Sequence, residues 1–418
     1  MIHKTIDNDL IDLELIAKQQ GGKLDLSTII LTIPNSEEEL KYVFTYLSEK
    51  GIEIIHSDTE PDNIEQYESG MQPFDPAKIQ IRMMQLTIHS INERIRHEEL
   101  EFNSAFQRMP GLWSDKQKSQ LIESVLLRIP LPAFYFDAFD DNKWIIIDGL
   151  QRISSFMEFM VNNKLALTGM EFFTDLNGMF FKDLPRSLQR TLEESNINAY
   201  IVDPTTPYNA KFNIFKRINT GGLTLTSQEI RNALYQGKAT EFINKLAKTE
   251  IFKTVTCHSI PDLRMLDREY CLRYVAFNYM PLEMYKGVTD DFLNYTMNEL
   301  NKTPNNELIK IEHVFYDVLK DCHAILGDNA FRKMAQDGRR RPINKTLFEG
   351  WTNCISKLST VEVNILIKNN DFVKQCFVAL CEQPDFINAL KASDKKSLYY
   401  RMNEISIMLK NIIHLYGG

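Results

Sequence analysis

The spacing of apolar residues limits the folds open to this chain, because it changes period part of the way along. Between residues 100 and 235, short apolar or alternating runs stand among helical stretches, and from about 208 onward the helical period dominates. Residues 133–139 and 143–148 read as two strands around Asp140, Asp141 and Asn142, a hairpin. A second hairpin is read from 171–173 and 179–181 around Asn177 and Gly178, and a further strand from 198–202. Residues 114–127 read as a helix with Leu121, Ile122, Val125 and Leu126 inward. Strands interleaved with helices, followed by a helical tail, predict an α+β fold with an all-helical C-terminal extension.

The first 57 residues read as a small helical module. Leu10, Leu13, Ile16 and Ala17 form one stripe, which Gly21 and Gly22 end. Ser36 and Glu39 open a second helix as a capping box, Gly51 stops it, and 52–55 reads as a short strand. Residues 58–75 carry Asp58, Glu60, Asp62, Glu65, Glu68 and Asp75 with no Lys or Arg, which predicts a mobile acidic linker. Asp75 and Pro76 suit a helix start, with Met84, Ile88, Ile91 and Ile95 on one face of the helix that follows. The expected division is therefore 1–57 module, 58–75 linker, 76–235 core and 236–418 helical region.

A length of 418 residues predicts two or three domains, and 44% hydrophobic with 25% charged residues is a globular mix. A net charge of −8 excludes a chain that coats nucleic acid through bulk charge. The local basic cluster Arg332, Lys333, Arg339, Arg340, Arg341 and Lys345 suits a solvated loop somewhat better than a contact, but could still touch phosphate of DNA or of a nucleotide. The six cysteines form no Cys-x-x-Cys pair and read as reduced thiols. With no long apolar run and no secretory pattern at the start, a cytoplasmic protein without membrane contact is expected.

Three segments could carry chemistry. In the first, an apolar strand from Lys143 ends at Asp148, and a helix begins almost at once through Gly149, Leu150, Gln151 and Arg152. A helix start favours anions, Gly149 allows close backbone approach, and Arg152 could add a bidentate phosphate contact. Asp148 could hold a divalent metal or orient a water. Asp148 and Gln151 also suit a plain capping box with Arg152 solvated. In the second, Arg217, Asn219, Thr220, Gly221 and Gly222 lead into Thr226, Gln228, Glu229, Arg231 and Asn232. Paired glycines can form an anion nest, or simply end one helix before Thr226 and Glu229 cap the next. The third places Gln107 and Arg108 in an irregular stretch ahead of a helix bearing Glu123, which is either the buried partner of an arginine or a rim residue.

Taken in order, Phe106-Gln-Arg, Leu121-Ile-Glu-Ser, Ile129-Pro-Leu-Pro, Ile147-Asp-Gly-Leu-Gln-Arg, Phe215-x-Arg-Ile-Asn-Thr-Gly-Gly and Gln228-Glu-Ile-Arg-Asn-Ala-Leu resemble one family. It is the GmrSD-type restriction endonuclease N-terminal family, also called domain of unknown function 262, and the likeness covers roughly residues 80–300. The resemblance implies a small mixed sheet distantly related to the ParB and sulfiredoxin folds. It also implies nucleoside triphosphate binding and hydrolysis with a divalent metal such as Mg or Mn, within anti-phage defence that senses modified DNA. Carried over by motif, it implies Asp148, Gln151 and Arg152 as catalytic, with Asp148 as metal ligand. Gly149, Arg108, Arg217, Asn219, Thr220, Gly221, Gly222, Gln228 and Arg231 would then lie at or near the nucleotide. Leu150 stands where the family's commonest form has Gln, which puts the catalytic rate in question. Many relatives add a His-Asn-His-type nuclease domain; His313, His323 and His414 show no such pattern, and none is expected in this stretch.

Residues 1–57 loosely resemble the N-terminal regulatory domain of primary bacterial sigma factors, although any small helical domain gives a similar pattern. Three readings follow. The first is a metal-dependent nucleoside triphosphatase. The second is a nucleotide-gated module that engages DNA, a partner protein or a further copy of itself with little turnover. The third, a nuclease at the same centre, ranks last because it needs more acidic ligands than this segment supplies.

Overall fold

The computed structural model describes residues 78–101, 113–138, 143–218, 225–336 and 340–417, together with parts of 10–55. It divides into two compact units, Gln72–Leu234 and Met1–Met71 with Tyr235–Gly418.

In the N-terminal stretch, Leu10, Leu13, Ala17, Leu24, Val43 and Leu47 form a small buried cluster. Two strands, β1 (Lys23–Asp25) and β2 (Glu53–Ile55), pair in parallel; β2 is the short strand expected at 52–55, and β1 adds one to a module expected to be otherwise helical. Gly51 adopts a left-handed φ of 68° at the turn into β2, as its place in the sequence suggested. The capping box at Ser36 and Glu39 and the acidic linker lie outside the described residues.

The unit Gln72–Leu234 is built on β3 (Ile81–Thr87), β4 (Leu100–Glu101), β5 (Phe134–Ala138), β6 (Trp144–Asp148) and β7 (Asn196–Val202), in the order β3-β7-β5-β6-β4. Antiparallel and parallel pairs alternate across it, giving a small mixed sheet. The predicted hairpin is present as β5 and β6, with a bulge between Tyr135 and Phe136. Alternate residues of β5 and β7 (Phe134, Phe136, Ala138; Ile197, Ala199, Ile201) turn into one buried core. Helices α1 (Ile88–Arg96), α2 (Asp115–Leu126) and α3 (Leu150–Phe156) contribute Ile91, Ile122, Ile153 and Phe156 to it. The described residues of this unit also form α4 (Arg186–Glu194), α5 (Tyr208–Ile218) and α6 (Ser227–Leu234).

Two expectations are corrected here. The helix expected to run from residue 76 through Met84 begins only at Ile88, because residues 81–87 pair with β7 one for one. Thr87 makes the break: its side chain accepts from the Ser90 N–H as an N-cap. The second hairpin does not form either. The backbone N–H groups of Glu171, Phe172 and Phe173, which a hairpin would use, donate instead to the Glu123 carboxylate at 2.7–3.1 Å. Residues on either side of Asn177 form single 3-10 turns.

From Tyr235 the second unit is helical, as expected: α7 (Lys238–Ala247), α8 (Glu250–Val255), α9 (Leu266–Tyr279), α10 (Thr289–Lys302), α11 (Asn305–Leu326), α12 (Lys345–Ile355), α13 (Thr360–Lys368), α14 (Asn370–Cys381), α15 (Pro384–Lys391) and α16 (Lys395–Gly417). Its core is aromatic, with Phe348 edge-on to both Tyr270 and Phe331, and Trp351 edge-on to Phe377.

Candidate functional site

Strand β6 buries Trp144 to Ile147 and ends at Asp148, whose side chain keeps 25% of its surface in solvent. The turn into α3 is possible because residue 149 is glycine. Gly149 has φ +95°, and a Cβ there would stand 2.4 Å from the Phe134 ring. The glycine thus serves the packing of β5 against the helix start. The plain capping box read for Asp148 and Gln151 is absent: Gly149 occupies the cap position and no side chain caps the helix.

Arg152 is not solvated. It points back along the first turn and donates from Nη2 to Asp148 Oδ2 at 2.9 Å and to the Ala133 carbonyl at 3.2 Å. Nη1 donates to the Pro132 carbonyl, and the guanidinium lies 4.2 Å over the Phe134 ring. Three of its five N–H donors are thus directed inside the domain, one of them onto Asp148. Burial pushes the Asp148 carboxyl up from its ordinary value, against the opposing charge of Arg152. The same burial lowers Arg152, and the Asp148 charge partly restores it.

One tyrosine adjoins the acid, and a second stacks on the first. Tyr135 is the register partner of Asp148 across β5 and β6, and of Tyr200 across β5 and β7. The two rings stack with centroids 5.0 Å apart at 16°. Burial raises the Tyr135 hydroxyl, helped by Tyr200 and the Asp148 charge. Two residues further along β5, Asp137 is sealed beneath α5 in a 2.6 Å ion pair with Lys211. Burial raises Asp137, and Lys211 opposes it.

Of the residues singled out in sequence, the structure brings together Asp148, Gly149 and Arg152. Gln151 is half-buried beside them. Gln228 and Arg231 are buried on α6 and bonded to each other at 3.0 Å, with the Arg231 guanidinium 5.4 Å from the Phe212 ring. Thr226 and Glu229 form the expected capping box. Arg217 is exposed near the end of α5. Arg108, Asn219, Thr220, Gly221 and Gly222 lie outside the described residues.

The basic cluster does not act as one surface. Arg332 is 2% exposed and donates to the Arg341 and Thr256 carbonyls and the Ser259 hydroxyl, while Lys345 pairs with Glu269. Arg340 and Arg341 are exposed, Lys333 is half-buried and Arg339 is outside the described residues. The three histidines considered for a nuclease lie on α11 and α16.

Sequence reasoning missed the tyrosine pair and the Asp137–Lys211 pair. Parity along β5 held the signal: Tyr135 and Asp137 alternate with Phe134, Phe136 and Ala138, and an acid inside an apolar strand calls for a buried partner.

No group of three or more His, Cys, Asp or Glu side chains gathers among the described residues, and Asp148 already shares one oxygen with Arg152.

A five-stranded mixed sheet that carries a half-open acid at a strand-to-helix junction defines an α+β domain organised around one polar centre. Residues 88–236 match the family model of the GmrSD restriction endonuclease, N-terminal domain, the family that the motifs resemble. The match points to a restriction or defence type of protein, with DNA among its possible partners. No match was found among curated proteins or among solved structures. Among the described residues, no helix is long and apolar enough to cross a membrane.

Proposed function

We propose that the domain matched at 88–236 binds a nucleoside triphosphate and hydrolyses it, with Asp148 as the acid at the terminal phosphate. The observation that carries this reading is the state of Asp148. Its inner side is held by an arginine that also donates to the Pro132 and Ala133 carbonyls, and a quarter of its side chain stays open to solvent. Phosphoryl transfer asks a protein mainly for positioning and electrostatics, and a held, half-open carboxylate supplies the positioning. Asp148 accepts a hydrogen bond from the attacking water. Its raised pKa brings it closer to the range of a useful proton acceptor. The water oxygen bonds to the terminal phosphorus and gives its proton to Asp148 as the bond to the bridging oxygen breaks, leaving a nucleoside diphosphate and inorganic phosphate. Magnesium or manganese would enter with the triphosphate as part of the substrate, and Asp148 is the carboxylate that would meet it.

The test is phosphate release from a panel of ribonucleoside and deoxynucleoside triphosphates with magnesium. Wild type should release phosphate, and Asp148→Ala should not. Equal release by both would overturn the assignment. A second reading, a nucleotide-gated binding module, is favoured by two observations: the guanidinium at Asp148 is turned inward, and Leu150 packs on the core in place of a polar side chain. Nucleotide that raises the melting temperature with no phosphate released would support that module instead.

A further inference from the structure

One transverse row crosses four strands of the sheet. Met83 on β3 is the register partner of Tyr200 on β7, Tyr200 of Tyr135 on β5, and Tyr135 of Asp148 on β6. Directly opposed residues share a face, so the first three side chains stand side by side. Tyr135 covers one face of the Tyr200 ring. The other face turns toward β3, where Met83 is 58% exposed. Two residues along, the same face of β5 is closed at Asp137 by Lys211, so the open part of the row begins at the tyrosines.

We infer that the outer face of Tyr200, with Met83 beside it, seats the base of a nucleoside triphosphate whose phosphates extend across Tyr135 to Asp148. The inference rests on the proposed function and adds where the base lies. Three strand spacings separate β3 from β6, about 14 Å, which is the length scale of an extended nucleoside triphosphate. A base stacks on any aromatic face regardless of its identity, and a flexible, polarisable thioether adapts to whichever ring lies on it. Cross-strand packing explains why two tyrosines face each other. The row then ends at Met83 on an edge strand exposed from residue 81 to 85, which leaves the outer end of the row open.

The test is calorimetric titration of the full chain with ATP, GTP, CTP and UTP, and separately with inorganic tripolyphosphate, all with magnesium. Tyr200→Leu should bind every nucleotide roughly tenfold more weakly and bind tripolyphosphate as wild type does, while Tyr200→Phe should retain nucleotide affinity. Met83→Ala, at an exposed position that folding tolerates, should show a smaller loss for nucleotides alone. Nucleotide affinity unchanged in both Tyr200→Leu and Met83→Ala would overturn the seat and leave the proposed function standing. An equal loss for tripolyphosphate would also overturn it, by locating the defect at the phosphate end. A wild-type chain that binds no nucleotide would overturn the proposed function and the seat together.

Discussion

Asp148 in the sheet unit and Glu349 in the helical unit both hold arginine, yet their surroundings differ in the way that separates a site from a scaffold. Glu349, with 1% of its side chain exposed, receives Arg273 at 2.6 Å and Arg401 at 3.0 Å. Arg273 also meets Glu269, which Lys345 shares, and Arg401 donates to the Ala389 and Ala392 carbonyls. Both carboxylate oxygens of Glu349 are occupied, and Glu349, Arg273 and Arg401 are sealed, while the network meets solvent at its outer edge through Glu269 and Lys345. Asp148 receives one arginine, on one oxygen, and keeps 25% of its side chain open. A sealed charge network fixes how helices dock. A carboxylate held from one side can still meet a ligand.

The sharpest way to break this contrast is to remove Glu349. Glu349→Ala leaves Arg273 and Arg401 buried around a missing charge, and should cost about 3–5 kcal/mol, read as a lower urea midpoint; a midpoint near wild type would show that the network is not structural. Next in size, Gly149→Ala combines a left-handed φ with a Cβ pressed into the Phe134 ring. Strain of this kind costs of order 1–3 kcal/mol, and the melting temperature should fall together with phosphate release.

Glu123 offers a pH-dependent case. Burial works to raise its carboxyl, but the backbone N–H groups of Phe173, Glu171 and Phe172 outweigh that and hold it below the usual carboxylate range. A depressed acid stabilises the fold above its unfolded value, and that stability is lost as pH falls through the folded value. Glu123→Gln should therefore cost about 1–3 kcal/mol near neutrality, and the gap to wild type should close on acidification in parallel urea titrations. A gap that widens would contradict the assignment. The smallest effect is expected at Arg340, exposed and outside any sealed pair: Arg340→Ala should stay within about 0.5 kcal/mol of wild type. Weaker retention of DNA by that variant would mark the surface as a contact.

What the sequence made legible was local. The hairpin of β5 and β6, the Thr226–Glu229 cap and the helical region all follow from period and capping, which act within a few residues. The Asp148–Arg152 pair lies at i,i+4 and could be seen as neighbours, but not that Pro132 and Ala133 would turn the guanidinium inward. Strand β3 was hidden because Met84, Ile88, Ile91 and Ile95 satisfy helical spacing, and only the cap at Thr87 breaks it. Glu349 and Arg401 stand 52 residues apart, beyond any spacing rule. Glu123 was weighed for an arginine, and its partners proved to be backbone amides some 50 residues away.

The most direct test sets Asp148→Asn beside Glu349→Gln and measures phosphate release per folded molecule with nucleoside triphosphates and magnesium. Asparagine can still accept from Arg152, so Asp148→Asn should melt near wild type and release no phosphate, while Glu349→Gln should melt lower and keep its turnover. Release retained by Asp148→Asn, or lost in well-folded Glu349→Gln, would contradict the division between open site and sealed scaffold.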